Sequence, residues 1–242
     1  MNTASVPALR CPGPHSGWEE VRAAFVREGA VVVHARVGAL LPGGRASGAG
    51  GGPARPGRAR DRSAASRLLL RSVAGALLLA PPEEVEVARA PGGRPYLRGV
   101  DGLDVSIGHT GDLLAVGVSR LGRIGVDVER AERRMTALGT ERHACTPYEL
   151  QALRSVPEEG RDRELVRLWT LKEAYSKATG QGLRLRFTEF GFDGGPPGSP
   201  VRMLLPDGTP AEVPGWTFHS VRVGVHVLGV ALHCPRGPAL TA

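Results

Sequence analysis

The stretch "WTLKEAYSKATG", Trp169–Gly180, has the spacing of an amphipathic helix. Trp169, Glu173 and Lys177 recur every four residues and therefore line one ridge of that helix. A neighbouring apolar stripe predicts docking on a sheet, because it repeats with the helical period. Its members are Leu165, Leu168, Leu171, Tyr175 and Ala178. We predict a helix from about Glu164 to Thr179 that ends at Gly180, with Glu173 held at the edge of its buried face.

This stretch also contains Lys172 and Lys177, the only lysines of a chain with 31 basic residues. Arginine carries a planar, permanently charged fork, whereas lysine is a compact charge that can exchange a proton. Two lysines on either side of Glu173 therefore indicate a site that a guanidinium cannot serve.

Composition predicts a globular protein with an anionic partner. The 242 residues are 41% hydrophobic and carry a net charge of +7, which indicates nucleic acid, a phosphorylated molecule or an acidic protein. The N-terminus has no secretory signal and the apolar runs are too short for a bilayer, so we expect a cytoplasmic protein without membrane association. The three cysteines have no metal-ligand spacing and indicate neither a disulfide framework nor a zinc site.

A second motif, "IGVDVE" at 124–129, carries two carboxylates in phase. The strand period of two sends Asp127 and Glu129 to the face opposite Val126 and Val128. If Glu173 faces this strand, three carboxylates converge, and their oxygens suit Mg²⁺ better than zinc or copper. An ordinary exposed strand face and an ordinary helical Glu–Lys pair are the alternatives.

The remaining pattern predicts an α+β fold. Glycine, proline and arginine without an apolar period predict a flexible loop at about 43–60, within a wider stretch at 41–62. The charged residues at 157–164 predict a connection before the helix that carries Glu173. The other predicted helices are Trp18–Glu28, Ala64–Leu79 and Pro147–Ser155, and the predicted strands are Ala30–Val37, Glu84–Ala90, Leu103–Ile107, Leu113–Ser119, Ile124–Glu129, Thr188–Phe192, Val201–Leu205 and Trp216–Leu232.

Four segments in order resemble the 4′-phosphopantetheinyl transferases of the surfactin-synthetase-activating type (Sfp type). These are "GRPYL" (93–97), "SIGHTGDLLAVGVS" (106–119), "IGVDVE" and "RLWTLKEAYSKATGQGL" (167–183). The resemblance spans roughly Ala64 to Phe192. It implies two similar α/β lobes with pseudo-twofold symmetry and coenzyme A bound between them, the N-terminal lobe at 1–118 and the C-terminal lobe at 119–242.

The resemblance also implies the chemistry and the residues. The family transfers 4′-phosphopantetheine from coenzyme A to a serine of an acyl- or peptidyl-carrier protein, with Mg²⁺, and releases adenosine 3′,5′-bisphosphate. Asp127, Glu129 and Glu173 match its metal carboxylates, and Lys177 matches its lysine beside the pyrophosphate. The expected contacts of coenzyme A are Arg67, Arg94, His109, Lys172 and Lys177, and the expected catalytic residues are Glu173, Lys177, Asp127 and His109. Arg71, one helical turn after Arg67, is an alternative to it.

Two positions depart from the family pattern. Gly108 stands where a serine usually precedes the histidine, which leaves one phosphate hydrogen bond to the backbone. Ala144 and Cys145 replace aromatic residues and put the surface for the carrier or the pantetheine arm in doubt. Glu149 matches a recurrent family glutamate.

The resemblance implies a monomer whose partners are coenzyme A and carrier domains of polyketide, non-ribosomal peptide or fatty-acid synthases, with no nucleic acid. Two rival functions fit part of the pattern. A Mg²⁺-dependent nuclease also needs acidic ligands and a basic surface, although its lysine usually follows a strand carboxylate by two residues. A non-catalytic module that binds carrier proteins or nucleic acid leaves the in-phase carboxylates unexplained.

Overall fold

The structure is a computed structural model that describes residues 6–13, 17–41, 56–194 and 200–235. The chain divides into two compact units, and the boundary lies between Leu121 and Gly122. Each unit combines helices with antiparallel strands, so the fold is a mixed α+β fold with several sheets. Within the described ranges, no helix has the length and apolarity needed to cross a membrane.

The first unit is built on a four-stranded sheet with the order β1-β2-β6-β5. The strand β1 runs parallel to β2, and the other neighbours are antiparallel. A short β3–β4 ribbon accompanies this sheet. The strands are β1 (Ala8–Arg10), β2 (Ala30–Arg36), β3 (Val87–Arg89), β4 (Pro95–Leu97), β5 (Asp104–Thr110) and β6 (Leu113–Ser119), and the helices are α1 (Glu19–Glu28), α2 (Val37–Leu40) and α3 (Pro56–Leu78).

The helix α3 begins earlier than the sequence pattern predicts. We expected a flexible loop over 43–60, but residues 56–60 already form the first turns of α3. Proline fits the first helical position because its missing N–H has no partner there, and the arginines and alanines that follow are good helix formers. Residues 42–55 of the predicted loop lie outside the described residues.

The second unit is built on a three-stranded antiparallel sheet with the order β10-β11-β7. The predicted tail strand at 216–232 is a hairpin of two strands, β10 and β11. The strands are β7 (Ile124–Arg130), β8 (Gly191–Phe192), β9 (Met203–Leu204), β10 (Trp216–Val223) and β11 (His226–His233), and the helices are α4 (Glu141–Ala144), α5 (Pro147–Ser155) and α6 (Glu158–Thr179).

The long helix α6 includes the segment that we expected to be a charged connection at 157–164. It begins at Glu158, after Pro157, and its first turn carries Glu158 and Glu159. Carboxylates at a helix N-terminus are stabilised by the helix dipole, so this charged segment is helical without an apolar period. The helix ends at Gly180, whose φ of 72° is left-handed, as predicted.

Two glycines let α6 lie directly on the sheet. A Cβ atom on Gly125 of β7 would lie 1.8 Å from the carbonyl oxygen of Ala174, and a Cβ atom on Gly229 of β11 would lie 2.4 Å from the carbonyl oxygen of Thr170. The backbone of α6 therefore approaches both strands more closely than any side chain permits. Alternate residues of a strand lie on the same face, so the odd-numbered residues of β7, like Gly125, face this helix.

We predict that Gly125→Ala destabilises the second unit strongly, because the new methyl group would overlap a helix backbone that cannot rotate away. A core overlap of this kind costs at least about 1–3 kcal/mol. Urea unfolding followed by circular dichroism measures the loss. Gly194→Ala is the control, since its Cβ atom would make only an ordinary contact, 3.9 Å from Glu164. Equal stability of the two variants would contradict the close approach of α6.

Candidate active site

The face of β7 that α6 covers presents Asp127 and Glu129. Both have the parity of Gly125, and the residue Asp127 is 9% exposed. The predicted alternation is therefore observed, but this face is covered by a helix and is not an open polar surface. The two carboxylates consequently lie at the junction between the sheet and the helix that carries Glu173.

An ion pair joins the strand to the helix. The Nζ atom of Lys177 donates to Oδ1 of Asp127 at 2.7 Å and to the carbonyl oxygen of Val126 at 3.0 Å. The Lys177 side chain is 31% exposed, so it remains partly in contact with solvent. The structure thus brings together two residues that the sequence separates by fifty positions.

Glu173 shares the electrostatic environment of this pair. Burial raises its pKa, the negative charge of Asp127 raises it further, and the Lys177 ammonium opposes both effects. The pKa of Asp127 is also raised, first by burial and also by the charge of Glu129, against the attraction of Lys177. Asp127 therefore repels the carboxylates of Glu129 and Glu173, and the Lys177 ammonium compensates only part of this repulsion.

Glu129 is held by a residue that the sequence did not single out. Its Oε2 atom accepts a hydrogen bond from Arg133, and its Oε1 atom accepts one from the backbone N–H of Arg130 at 2.8 Å. The carboxylate of Glu129 is largely buried, whereas the Arg133 side chain is 46% exposed. Glu129 and Arg133 are four residues apart, a spacing that indicates a contact only within a helix. Glu129 lies on a strand, so the sequence did not predict this pair.

The donor set fits a divalent cation in part. Within the described residues, no cluster of three or more acidic, histidine or cysteine side chains is arranged to hold a metal ion. Two of the three carboxylates are engaged in ion pairs, Asp127 with Lys177 and Glu129 with Arg133. The chemistry nevertheless suits Mg²⁺, because the donors are carboxylate oxygens whose mutual repulsion a cation would relieve. Asp127, Glu129 and Glu173 could supply such oxygens, although ion pairs already engage the first two.

Three residues that the resemblance assigns to coenzyme A lie in the first unit. Arg94 forms an ion pair with Asp104 of β5. His109 is an exposed residue near the end of β5. Arg67 is exposed on α3, where it donates a hydrogen bond to Oγ of Ser63 at 2.9 Å. His109 and Arg67 are thus carried by regular elements of the first unit, whereas Arg94 lies in the connection between β3 and β4.

Lys172 does not join this group, which corrects the expectation that it contacts coenzyme A. The residue is completely buried. Its Nζ atom donates to Oε2 of Glu149 at 2.6 Å and to the carbonyl oxygens of Ala144 and Phe187, both at 2.7 Å. All three donor positions of the ammonium are occupied within the second unit, so Lys172 has a structural role.

Glu149, the partner of Lys172, connects three elements. It closes a capping box at the start of α5 with Thr146, and its Oε1 atom accepts from the backbone N–H of Phe192 on β8 at 2.9 Å. Burial lowers the pKa of Lys172, whereas the charge of Glu149 opposes that shift. Nearby, burial and Glu149 raise the pKa of the Cys145 thiol to about 12. The buried ion pair of Lys172 and Glu149 therefore joins α6 to α5 and β8.

We predict that Lys172→Met costs about 3–5 kcal/mol of stability, because it leaves the Glu149 carboxylate buried without a cation. The double variant Lys172→Met, Glu149→Gln should lose less than the sum of the two single variants, since it removes the uncompensated charge. Chemical denaturation of all four proteins measures the cycle. Arg98→Met, which breaks an exposed pair with Glu86, is the control and should cost at most about 1 kcal/mol. Additive losses in the cycle would contradict the assigned pair.

We predict that Glu173→Gln stabilises the protein at neutral pH in a buffer with EDTA. A raised pKa means that the folded state binds the proton of Glu173 more tightly than the unfolded state does. The free energy of unfolding therefore falls as the pH rises from the unfolded pKa through the folded pKa. Glutamine does not titrate, so the variant should gain stability over the wild type at about pH 7.5 and lose that advantage at about pH 4. Urea unfolding at both pH values measures this, and a pH-independent difference, or one matched by exposed Glu132→Gln, would contradict it.

Comparisons with known proteins find similarity to one superfamily over part of the chain. Residues 123–231 match the model of the 4′-phosphopantetheinyl transferase superfamily. The chain is 33% identical over 127 residues to the 4′-phosphopantetheinyl transferase HetI of Nostoc sp., covering 51% of this chain and 54% of that protein. It is 26% identical over 129 residues to the 4′-phosphopantetheinyl transferase psf-1 of Bacillus pumilus, covering 53% of this chain and 54% of that protein.

A longer alignment exists with an animal protein. The chain is 26% identical over 200 residues to the L-aminoadipate-semialdehyde dehydrogenase-phosphopantetheinyl transferase of Rattus norvegicus, covering 74% of this chain and 64% of that protein. The first two matches span about half the length of the relatives concerned. The segment that is similar to this superfamily contains β7 and α6, and thus Asp127, Glu129, Glu173 and Lys177.

Proposed function

We propose that the protein is a 4′-phosphopantetheinyl transferase of the surfactin-synthetase-activating type. In this reaction a serine of an apo carrier protein receives 4′-phosphopantetheine from coenzyme A, and adenosine 3′,5′-bisphosphate is released. The observation that carries the proposal is the contact of Lys177 with Asp127, beside Glu173, within the segment that matches the superfamily. It unites a proton acceptor, a cation and an additional carboxylate on two rigid elements.

The bond changes define the roles of these residues. The serine oxygen forms a new bond to the phosphorus that carries pantetheine, and the bond from that phosphorus to the bridging oxygen of the pyrophosphate breaks. Glu173 accepts the serine proton, a role that fits a carboxylate held on a rigid helix beside Asp127 and Lys177. Lys177 offsets the charge that accumulates on the departing bisphosphate, and the partial exposure of its side chain supports this role.

Asp127 and Glu173 would hold Mg²⁺, with Glu129 as a further candidate ligand. The bound ion would neutralise charge on the phosphate oxygens. Asp127 also keeps Lys177 charged and directed at the site, because its carboxylate stabilises the ammonium. The Asp127 carboxylate would thus have two roles, since it pairs with the Lys177 ammonium and would also hold the metal.

Residues of the first unit supply further phosphate contacts in this proposal. Arg94, His109 and Arg67 are the assigned contacts of coenzyme A, and His109 is also an assigned catalytic residue. The exposed position of His109 and Arg67 supports this assignment, because an anion can reach both side chains. The proposed architecture includes two similar lobes, each combining a mainly antiparallel sheet with a long helix.

The acceptors that we propose are carrier domains of polyketide, non-ribosomal peptide or fatty-acid synthases, modified by a monomer in the cytoplasm. The net charge of +7 supports an acidic protein partner, because opposite charge accelerates the encounter of two proteins.

We predict that Asp127→Asn and Glu173→Gln each lower the rate of transfer by at least about 100-fold, since positioned proton transfer and charge stabilisation contribute factors of that size. The assay follows the mass of an apo carrier protein incubated with coenzyme A and Mg²⁺. Glu159→Gln changes the same residue type on the exposed start of α6 and should retain the wild-type rate.

Three outcomes would contradict the proposal. The first is a wild-type protein that modifies none of a panel of polyketide, peptide and fatty-acid carriers. The second is a wild-type rate in Asp127→Asn or Glu173→Gln. The third is Mg²⁺-dependent cleavage of plasmid DNA that both substitutions abolish, which would favour a nuclease instead.

A further inference from the structure

The second unit contains a cavity of about 340 Å³ that is separate from the residues assigned to transfer. It lies between the first half of α6 and the β10–β11 hairpin, whereas Glu173 and Lys177 stand on the second half of α6. Its size is at the lower end of the range found for small-molecule sites. Apolar walls come from Ala131, Val156 and Val227.

The charge of this cavity is positive. Three arginines, Arg163, Arg167 and Arg222, line it with one carboxylate, Glu164. Arg167 neutralises Glu164, because it donates to both carboxylate oxygens from Nε and Nη2. Within the described ranges, no ion pair involves Arg163 or Arg222, and both side chains are exposed. Arg222 donates only its Nε atom, to the carbonyl oxygen of Gly224 at 3.2 Å, so the two terminal nitrogens are available.

A buried polar group points to a ligand. Ser220 lines the cavity and is nine-tenths buried. Its pairing with Gly229, whose Cβ atom would meet α6, places Ser220 on the sheet face under that helix. Arg167 also lines the cavity and is buried, and among the described residues its Nη1 atom has no hydrogen-bond acceptor. A buried polar group without a partner is costly and rare, so this nitrogen indicates a missing acceptor.

We infer that this cavity binds a small amphiphilic anion, a carboxylate or phosphate monoester with a short alkyl chain. The anionic head accepts hydrogen bonds from Arg163, Arg222 and Nη1 of Arg167, and the Ser220 hydroxyl adds a neutral donor. The alkyl chain packs against Val156 and Val227. A free carboxylic acid and a phosphate monoester share this chemistry, and the two are separated by experiment.

Isothermal titration calorimetry of the full chain with octanoate and with hexyl phosphate tests the inference. We expect one site for at least one probe, and no measurable heat for octanol or acetate, which lack the charge and the alkyl chain respectively. The double variant Arg163→Ala, Arg222→Ala should weaken binding at least about tenfold, because hydrogen bonds to charged groups are the stronger kind. Ser220→Ala should weaken it about two- to tenfold through loss of one neutral donor.

A matched control separates local contacts from net charge. Arg184→Ala, Arg186→Ala also removes two exposed positive charges from the second unit and should bind the probes as the wild type does. Thermal unfolding checks that each variant is folded. No binding of either probe to the wild type would overturn the inference, as would equal weakening in both double variants. Loss of carrier-protein affinity in Arg163→Ala, Arg222→Ala without any probe binding would also overturn it, because the cavity would then belong to a protein-docking surface.

Discussion

The close contact of α6 with β7 and β11 is the constraint on which the second unit depends. Gly125 and Gly229 remove the side chains that would otherwise hold the helix at an ordinary distance. The carboxylate of Asp127 and the amine of Lys177 can meet at 2.7 Å because the two backbones are so close. A helix seated a few ångströms further out would leave these charges separated by solvent. Packing and site geometry therefore have the same cause.

The two lysines of α6 show how the position of a residue on a helix determines its role. Lys172 lies in the interior, where the carboxylate of Glu149 and two carbonyl oxygens accept its hydrogen bonds. Lys177 lies at the edge of the same helix, where it holds Asp127 and remains partly in contact with solvent. The first ammonium stabilises the packing of α5 and β8, and the second is the one to which the proposed function gives a substrate contact. Both ion pairs join α6 to another element, but they differ in exposure.

Much of this arrangement follows from sequence periodicity. The strand period places Asp127 and Glu129 on one face, and the helical period places Glu173 and Lys177 on one ridge, as the structure has them. The helical period also places Lys172 on the buried face of α6. It follows Leu168 by four residues and Leu165 by seven, and thus belongs to the apolar stripe. The expectation that Lys172 contacts coenzyme A came from the family resemblance and not from this spacing.

Other features depend on contacts between distant residues and have no local signal. The engagement of Glu129 by Arg133 follows from the path of the chain after β7, and the start of α6 at Glu158 follows from helix-end electrostatics, which an apolar period does not reveal. The start of α3 at Pro56 also lacks an apolar period, and it has no acidic residue in its first turn. The cavity beside Ser220 arises where α6 passes over the β10–β11 hairpin, and no periodic pattern predicts the void between two packed elements.

The scarcity of lysine has a practical consequence. Lys172 and Lys177 are the only side-chain amines of the chain, and the first is inaccessible in the folded state. Acylating reagents and amine-directed cross-linkers thus have a single side-chain target in the native protein, and that target lies at the candidate active site. Immobilisation through lysine would attach the protein by this site, whereas coupling through engineered surface cysteines would leave it open.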